Sequence, residues 1–511
     1  MMGRTLRKIT APSVQVALAT ALGLGLRIFL ALRFPASAGD SAIYEELARN
    51  WVEEHVYGIY FANGLLPSDM RPPGYPTFLA LLYLLFRRDG VVIVLAQVLL
   101  DMGTCYLIAW LAWRLAPARY RRRISLTALW LAVTCPFVAN YAAVPLTEVL
   151  ATLLTAAALI PLAAAFLSIE RAETESGRII EHTHWFLGGL LVGLGTLVRP
   201  ETPLLLIAAG GVLLIRWRKP QDWGKLARAG GLMAAGLVLP LLPWAARNWV
   251  RFHEVQFLAP RFAASPDEYT PRGLYAWTGT WLVRYRDVYL VPWKAGSERI
   301  DIGDIPAAAF DSPAERAQVA ALLNRYNQTQ RMTAEVDEGF AALARERTSR
   351  HPLRTYLRVP LARIATIWFT PRVELLPISG RLWPLRQHWR SDPVDFSVTL
   401  FFGALNFFYV GLAVAGFFRV RAEVQRERQR NAAAMWAPHA AVELLVAFIA
   451  VRTVFLSTVE TPEPRYVLEC FPALLALGAM VWLPSRGARR HSAIPAVIPA
   501  AIPARPVPDE S

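Results

Sequence analysis

Charge is scarce in this chain: Asp, Glu, Lys and Arg make up 18% of its 511 residues, while 55% are hydrophobic. Soluble domains carry about 25% charged residues, so an ordinary water-soluble fold is excluded. Cysteine is scarce too, with three residues (Cys105, Cys135 and Cys470), each inside an apolar segment. That spacing excludes a disulfide framework and a cysteine metal site, leaving them as core residues. Alternation of period two is missing from the apolar runs, which excludes a β-barrel and leaves a helical membrane protein. Lysine is nearly absent (Lys8, Lys219, Lys225 and Lys294), so the net charge of +15 is carried by arginine. Because those arginines cluster between apolar runs, they read as loop charge at a membrane and not as a nucleic-acid surface. The Asp40 loop follows the first apolar run directly, with no convincing cleavage site between, so the run reads as an uncleaved span.

What is present is a series of long apolar runs. Spans are expected near 13–33, 91–113, 124–142, 146–167, 185–198, 201–217, 229–247, 396–418, 436–457 and 466–484. The fold expected is an all-α polytopic membrane protein of about ten or more transmembrane helices, with juxtamembrane helices and a small mixed extracytoplasmic domain. Four basic clusters set the orientation: Arg114 to Arg123, Arg216 to Arg228, Arg419 to Arg430, and Arg486 to Arg490. They share one side only if the apolar piece 74–86 does not cross, and its length is short of the roughly 20 residues a crossing needs. It reads as a juxtamembrane or re-entrant helix. Residues 354–370 read as an amphipathic interfacial helix, because Arg354, Arg358 and Arg363 interrupt the apolar positions. Both termini are then cytoplasmic.

The expected organisation is a transmembrane module over 1–247 with a first outer loop at 34–90, then an extracytoplasmic domain over 248–355. An interfacial helix and C-terminal spans cover 356–484, and 485–511 reads as a disordered cytoplasmic tail. The outer domain opens on Tyr275, Trp277, Trp281, Tyr285, Tyr289 and Trp293. These aromatics fit a packed core or an interfacial belt better than a sugar-stacking surface.

Under this topology the unusual polar residues converge on the outer face: Asp40, Arg71, Glu148, Arg199, Glu201, His351, Glu463, Arg465 and Tyr466. Each also has a structural reading. Asp40 or Ser41 fits a helix cap, Arg71 fits a headgroup anchor, and Glu148 fits a cap at its helix start. Arg199 and Glu201 fit a local hairpin ion pair, His351 a loop or capping histidine, and Glu463 and Arg465 interface anchors. Independent structural charges have no reason to share one face.

In order, Gly39-Asp40-Ser41-x-x-Tyr44-x-x-Leu47-Ala48-Arg49-Asn50, Arg71-Pro72-Pro73-Gly74-Tyr75-Pro76, Pro145-x-x-Glu148, Leu197-x-Arg199-Pro200-Glu201, His351-Pro352 and Glu463-x-Arg465-Tyr466 form a set. The set resembles the C-type glycosyltransferases, and within them the bacterial relatives of protein O-mannosyltransferases and of the lipid A aminoarabinose transferase. The resemblance implies transfer of a sugar from a polyprenyl-phosphate carrier to an acceptor hydroxyl outside the cytoplasmic membrane. By position it implies Asp40 as general base and Arg71 at the carrier phosphate. Arg199 and Arg465 are also expected on the phosphate side. Tyr44, Tyr75, Glu148, Glu201, His351, Glu463 and Tyr466 are expected to line the cavity or meet the acceptor. Ser41 departs from the Glu that often follows the loop Asp in protein mannosyltransferases, which weighs against protein as the acceptor.

The chemistry stands without the resemblance. A positioned carboxylate takes the proton of a poor hydroxyl nucleophile, and arginine compensates the leaving phosphate by bidentate contact without a metal. No cofactor or metal is expected, and direct displacement inverts the anomeric centre. The outer loops contain no Asp-x-Asp pair and no Trp-Trp-Asp, unlike an oligosaccharyltransferase with a pyrophosphate donor. The competing readings are a sugar or lipid transporter or flippase, whose ionisable groups belong near the bilayer midplane, and an O-antigen ligase or polymerase.

Overall fold

The computed structural model describes residues 11–36, 39–169, 175–260, 269–429 and 439–483, so the expected tail and the last basic cluster lie outside the described residues. The long apolar runs become helices because a backbone in hydrocarbon has to satisfy its own hydrogen bonds. Among the described residues, seven helices are long and apolar enough to cross a membrane, or eight if the pair Arg121–Val133 and Pro136–Ala143, bent by 46°, is one span. The expected runs near 185–198 and 201–217 fall on helices Glu175–Thr196 and Leu204–Arg216, which are not among those seven. The first begins with a polar stretch containing Glu181, His182 and His184, and the second has 13 residues, short of a straight crossing. Helix Gly74–Phe86 is also 13 residues long.

Charged pairs fasten the bundle where apolar contact alone gives no direction. Arg27 of the first span is fully buried; its Nε donates to Asp101 Oδ2 at 2.6 Å and its Nη1 to the carbonyls of Gly23 and Val133. A buried charge persists only when paired in this way, and the clamp joins helices Pro12–Arg33, Gly90–Leu115 and Arg121–Val133 just ahead of the Asp40 segment. Helix Glu148–Ser168 lies at the centre, its small alanines letting neighbours approach closely.

The first loop contains helix Gly39–Glu53 and a two-stranded antiparallel hairpin, Gly58–Phe61 with Gly64–Pro67. Ala62 and Asn63 make the turn, and Gly64, paired with Phe61, takes a φ of +105° that favours glycine. The mixed character expected for the outer segment is corrected: over 269–350 the described residues contain helices and turns and no strand. Helices Pro313–Thr329 and Ala334–Arg350 start at Ser312 and Thr333, whose hydroxyls accept from the Glu315 and Val336 amides. They pack with Trp277, Trp281, Leu282, Val288 and Val291 into an apolar cluster separate from that of the bundle. Segment 354–369 is a short π-turn followed by helix Val359–Phe369. Only part of its arginine content faces outward. Arg354 pairs with Asp311, and buried Arg363 donates to the carbonyls of Leu282 and Gly279, docking the segment on the 269–350 layer.

Candidate active site

Asp40 lies in the first turn of helix Gly39–Glu53, where the positive helix end favours a carboxylate. Arg71 faces it from the Arg-Pro-Pro turn. That turn is held because the Tyr57 hydroxyl donates to the Arg71 carbonyl at 2.9 Å and the Gly74 amide donates to the Leu197 carbonyl at 2.7 Å. Gly74 is required there, since a Cβ would sit 2.5 Å from the Leu197 oxygen. The same contact ties the Arg71 turn to the Arg199-Pro200-Glu201 turn.

Arg71 Nη2 donates to Asp40 Oδ1 at 2.9 Å, and Arg465 Nη2 donates to Asp40 Oδ2 at 3.2 Å. Arg465 also donates through Nε to Glu463 and lies 3.4 Å from Glu148 Oε1 through Nη1. Glu148 Oε1 accepts from Arg199 Nη2 at 2.5 Å, and Arg199 reaches Glu201 at 3.2 Å and Glu469 at 3.5 Å. Arg452 closes the network, 2.7 Å from Glu469 and 3.4 Å from Glu201. Four guanidiniums thus meet five carboxylates in one chain of contacts running from solvent into the bundle. A phosphate entering here has to compete with carboxylates for its arginines.

Burial on its own would raise the Asp40 carboxyl, but Arg71 and Arg465 outweigh it and hold Asp40 below the usual range. Glu463 moves the other way: burial raises it more than Arg465 and the Tyr466 hydroxyl draw it back. The Tyr44 hydroxyl is pushed up to about 12 by burial, so it stays protonated at neutral pH.

A cavity of 870 Å³ opens over this network, and Asp40, Arg71, Glu463, Arg465 and Tyr466 all line it. The other expected residues stand elsewhere. Arg199 is 8% exposed and its donors go to Thr147, Glu148 and Glu201, so it braces the cavity floor and is not open to a phosphate. Glu148 is buried beside it and Glu201 is half-buried. Tyr44 and Tyr75 pack edge to face at 5.2 Å beneath the site, with the Tyr75 hydroxyl donating to Gln97 at 2.8 Å. His351 is exposed at the end of helix Ala334–Arg350 and does not line the cavity. Sequence reasoning missed Arg452, Glu469 and Glu374. Arg452 and Glu469 carried a signal, as ionisable residues inside apolar spans. Glu374, which lines the cavity and accepts from the Tyr141 hydroxyl at 2.9 Å, carried none.

Among the described residues no group of three or more His, Cys, Asp or Glu is placed to hold a metal ion. Arg465 occupies the centre of Asp40, Glu148 and Glu463 instead.

Residues 70–244 match the family described as dolichyl-phosphate-mannose-protein mannosyltransferase. The matched stretch holds Arg71, Glu148, Arg199 and Glu201 and leaves out Asp40 and Arg465. It agrees with the resemblance read from the ordered motifs. No curated protein matches the sequence. By structure the chain is similar to the oligosaccharyltransferase of Archaeoglobus fulgidus. With its complex with zinc and sulfate the identity is 14% and the TM-score 0.43, over 91% of this chain and 48% of that one. With the apo form the values are 12%, 0.42, 91% and 50%. With the form tethered to an acceptor peptide containing the NVT sequon they are 12%, 0.45, 91% and 49%. The chain spans about half the length of those structures, and at such scores the likeness assigns no residue and no reaction.

Proposed function

We propose that the protein is an inverting membrane glycosyltransferase moving a sugar from a polyprenyl-phosphate carrier to an acceptor hydroxyl of an envelope glycan, lipid or protein. The observation that carries this reading is the Asp40 carboxylate held between two guanidiniums on the floor of an open cavity. The site is read as facing the outer side of the cytoplasmic membrane, opposite the arginine-rich loops.

In the free protein Arg71 and Arg465 occupy both oxygens of Asp40 and weaken it as a base. The donor phosphate draws the two guanidiniums to itself by charge-assisted contact. Asp40 then accepts the acceptor proton while the acceptor oxygen bonds to the anomeric carbon. The carbon–oxygen bond to the carrier breaks at the same time, and its electron pair leaves with the polyprenyl phosphate, stabilised by the guanidiniums. Glu148, Arg199, Glu201, Glu469 and Arg452 keep the floor rigid, which preserves the alignment such a displacement needs.

The test is incubation of purified protein and an envelope extract with radiolabelled decaprenyl-phosphomannose. Label is expected to leave the lipid for an acceptor with the opposite anomeric configuration, and added chelator is expected to leave the rate unchanged. Label that crosses the bilayer still attached to its carrier would establish a transporter instead. Orientation is tested by Asn63→Cys and Arg122→Cys, both at exposed positions. An impermeant thiol reagent is expected to label only the first in intact cells, and the reverse pattern would overturn the orientation.

A further inference from the structure

The aromatic residues of the outer segment divide into two populations. Trp277 and Trp281 are 0% and 5% exposed and belong to the core of that segment. Tyr285, Tyr289 and Trp293 line the cavity, Tyr285 partly packed against that core and Tyr289 and Trp293 48% and 43% exposed. Tyr285 opens the one-turn helix Tyr285–Val288, and Tyr289 and Trp293 stand in the turns that follow it, while Leu282, Val288 and Val291 turn inward and are fully buried. The rings meet edge to face, with centroids 5.5 Å apart for Tyr285 and Tyr289 and 4.3 Å for Tyr289 and Trp293. The Tyr285 and Tyr289 hydroxyls share a hydrogen bond of 2.9 Å, which fixes the pair. A preformed aromatic face left open to water forgoes the burial such rings usually gain.

Carboxylates share the cavity with that face. Glu374, Glu460 and Glu463 line the same cavity. A pyranose matches both features, because its C–H face carries partial positive charge toward the negative ring faces and its hydroxyls donate to carboxylates at the rim. An extended peptide is matched less well, since the one hairpin among the described residues, at 58–67, contributes no residue to the cavity wall. We propose that Tyr285, Tyr289 and Trp293 form a carbohydrate-stacking subsite, with Glu374 and Glu460 receiving hydrogen bonds from the hydroxyls of the bound pyranose. The proposal rests on the glycosyltransferase reading for its biological purpose, and the stacked sugar belongs either to the donor or to the acceptor glycan.

The experiment has two arms. In the first, saturation-transfer NMR reads binding of methyl glycosides of mannose, glucose and galactose to the purified full-length protein. Wild type is expected to saturate protons of the pyranose C–H face. Trp293→Ala and Tyr289→Ala are expected to weaken binding about tenfold, and Trp293→Phe to retain most of it. The second arm compares affinity for decaprenyl-phosphomannose with that for decaprenyl phosphate. Collapse of that preference in Trp293→Ala assigns the subsite to the donor sugar, and an unchanged preference assigns it to the acceptor. Should Trp293→Ala fail to fold by thermal unfolding, Tyr289→Leu and Glu374→Gln carry the same test. Wild type that binds no glycoside, variants that bind as wild type does, or binding of a Ser/Thr-rich peptide through these rings in place of a glycoside would overturn the proposal. Failure to bind decaprenyl phosphate would instead count against the transferase reading, leaving the glycoside arm to decide the subsite.

Discussion

Replacing Asp40 by Asn separates catalysis from structure because it moves two observables in opposite directions. Asn keeps the size of Asp and caps a helix about as well, so the start of helix Gly39–Glu53 should survive. What disappears is a carboxylate contacted by Arg71 at 2.9 Å and Arg465 at 3.2 Å. Asp40 is 32% exposed and Arg71 27%, so each contact falls in the range of about 0.2–1 kcal/mol for partly solvated pairs. A donor phosphate that no longer competes with Asp40 for both arginines should bind about 2- to 30-fold more tightly. Turnover should nevertheless fall on the order of 10²–10⁴, because no base remains to take the hydroxyl proton. Asp40→Glu should recover little, since a shift of about 1 Å can cost about 10² in rate. The assay is single-turnover transfer from decaprenyl-phosphomannose with donor binding measured in parallel. An Asn variant within a few-fold of wild type in turnover, or one that loses donor binding while staying folded, would refute this reasoning. The pH dependence of stability has a fixed sign. With its folded value depressed by the two arginines, Asp40 contributes fully above its unfolded value of about 3.9 and loses that contribution as pH falls through the lower folded one. The difference in unfolding midpoint between wild type and Asp40→Asn should therefore stay constant at neutral pH and shrink only in acid.

Arg71→Lys should retain part of the transfer activity while Arg71→Ala loses about 1.5–3 kcal/mol of transition-state stabilisation, read as kcat/KM; near-normal activity in the Ala variant would reduce Arg71 to a headgroup anchor. Gly74→Ala puts a Cβ 2.5 Å from the Leu197 carbonyl oxygen, and the overpacking should cost about 1–3 kcal/mol in thermal unfolding and displace Arg71; an unchanged melting temperature would contradict the tight approach. Arg452→Ala takes from buried Glu469 its 2.7 Å partner and leaves Arg199 at 3.5 Å, so it should destabilise toward the lower end of about 3–5 kcal/mol. Combining Arg452→Met with Glu469→Leu should restore much of that loss, and a double variant as unstable as the single one would argue against an unpaired charge as the cause.

The sequence by itself determined the membrane class and the helical architecture, because long apolar runs with little charge leave a backbone no other way to satisfy its hydrogen bonds in lipid. It also indicated the polar residues that matter, since an ionisable group beside a span is costly unless it has a partner. Asp40, Arg71, Glu463, Arg465 and Tyr466 were legible in that sense, and the structure brings all five to one cavity. Their separate tasks were not legible. Arg199 and Arg465 look alike in sequence, each beside a proline and a glutamate, yet only packing leaves Arg465 at the cavity and closes Arg199 among Thr147, Glu148 and Glu201. His351 was grouped with the site by its place in the chain, whereas the end of helix Ala334–Arg350 holds it at an exposed surface away from the cavity lining. The division of the aromatics was decided by tertiary structure too, because whether a ring joins a core or faces a cavity depends on whether its side of the segment packs into the cluster with Leu323 and Phe340 or is left lining the cavity. Spacing along a chain records which residues can share a face. Which of those faces is buried is settled only when distant segments pack.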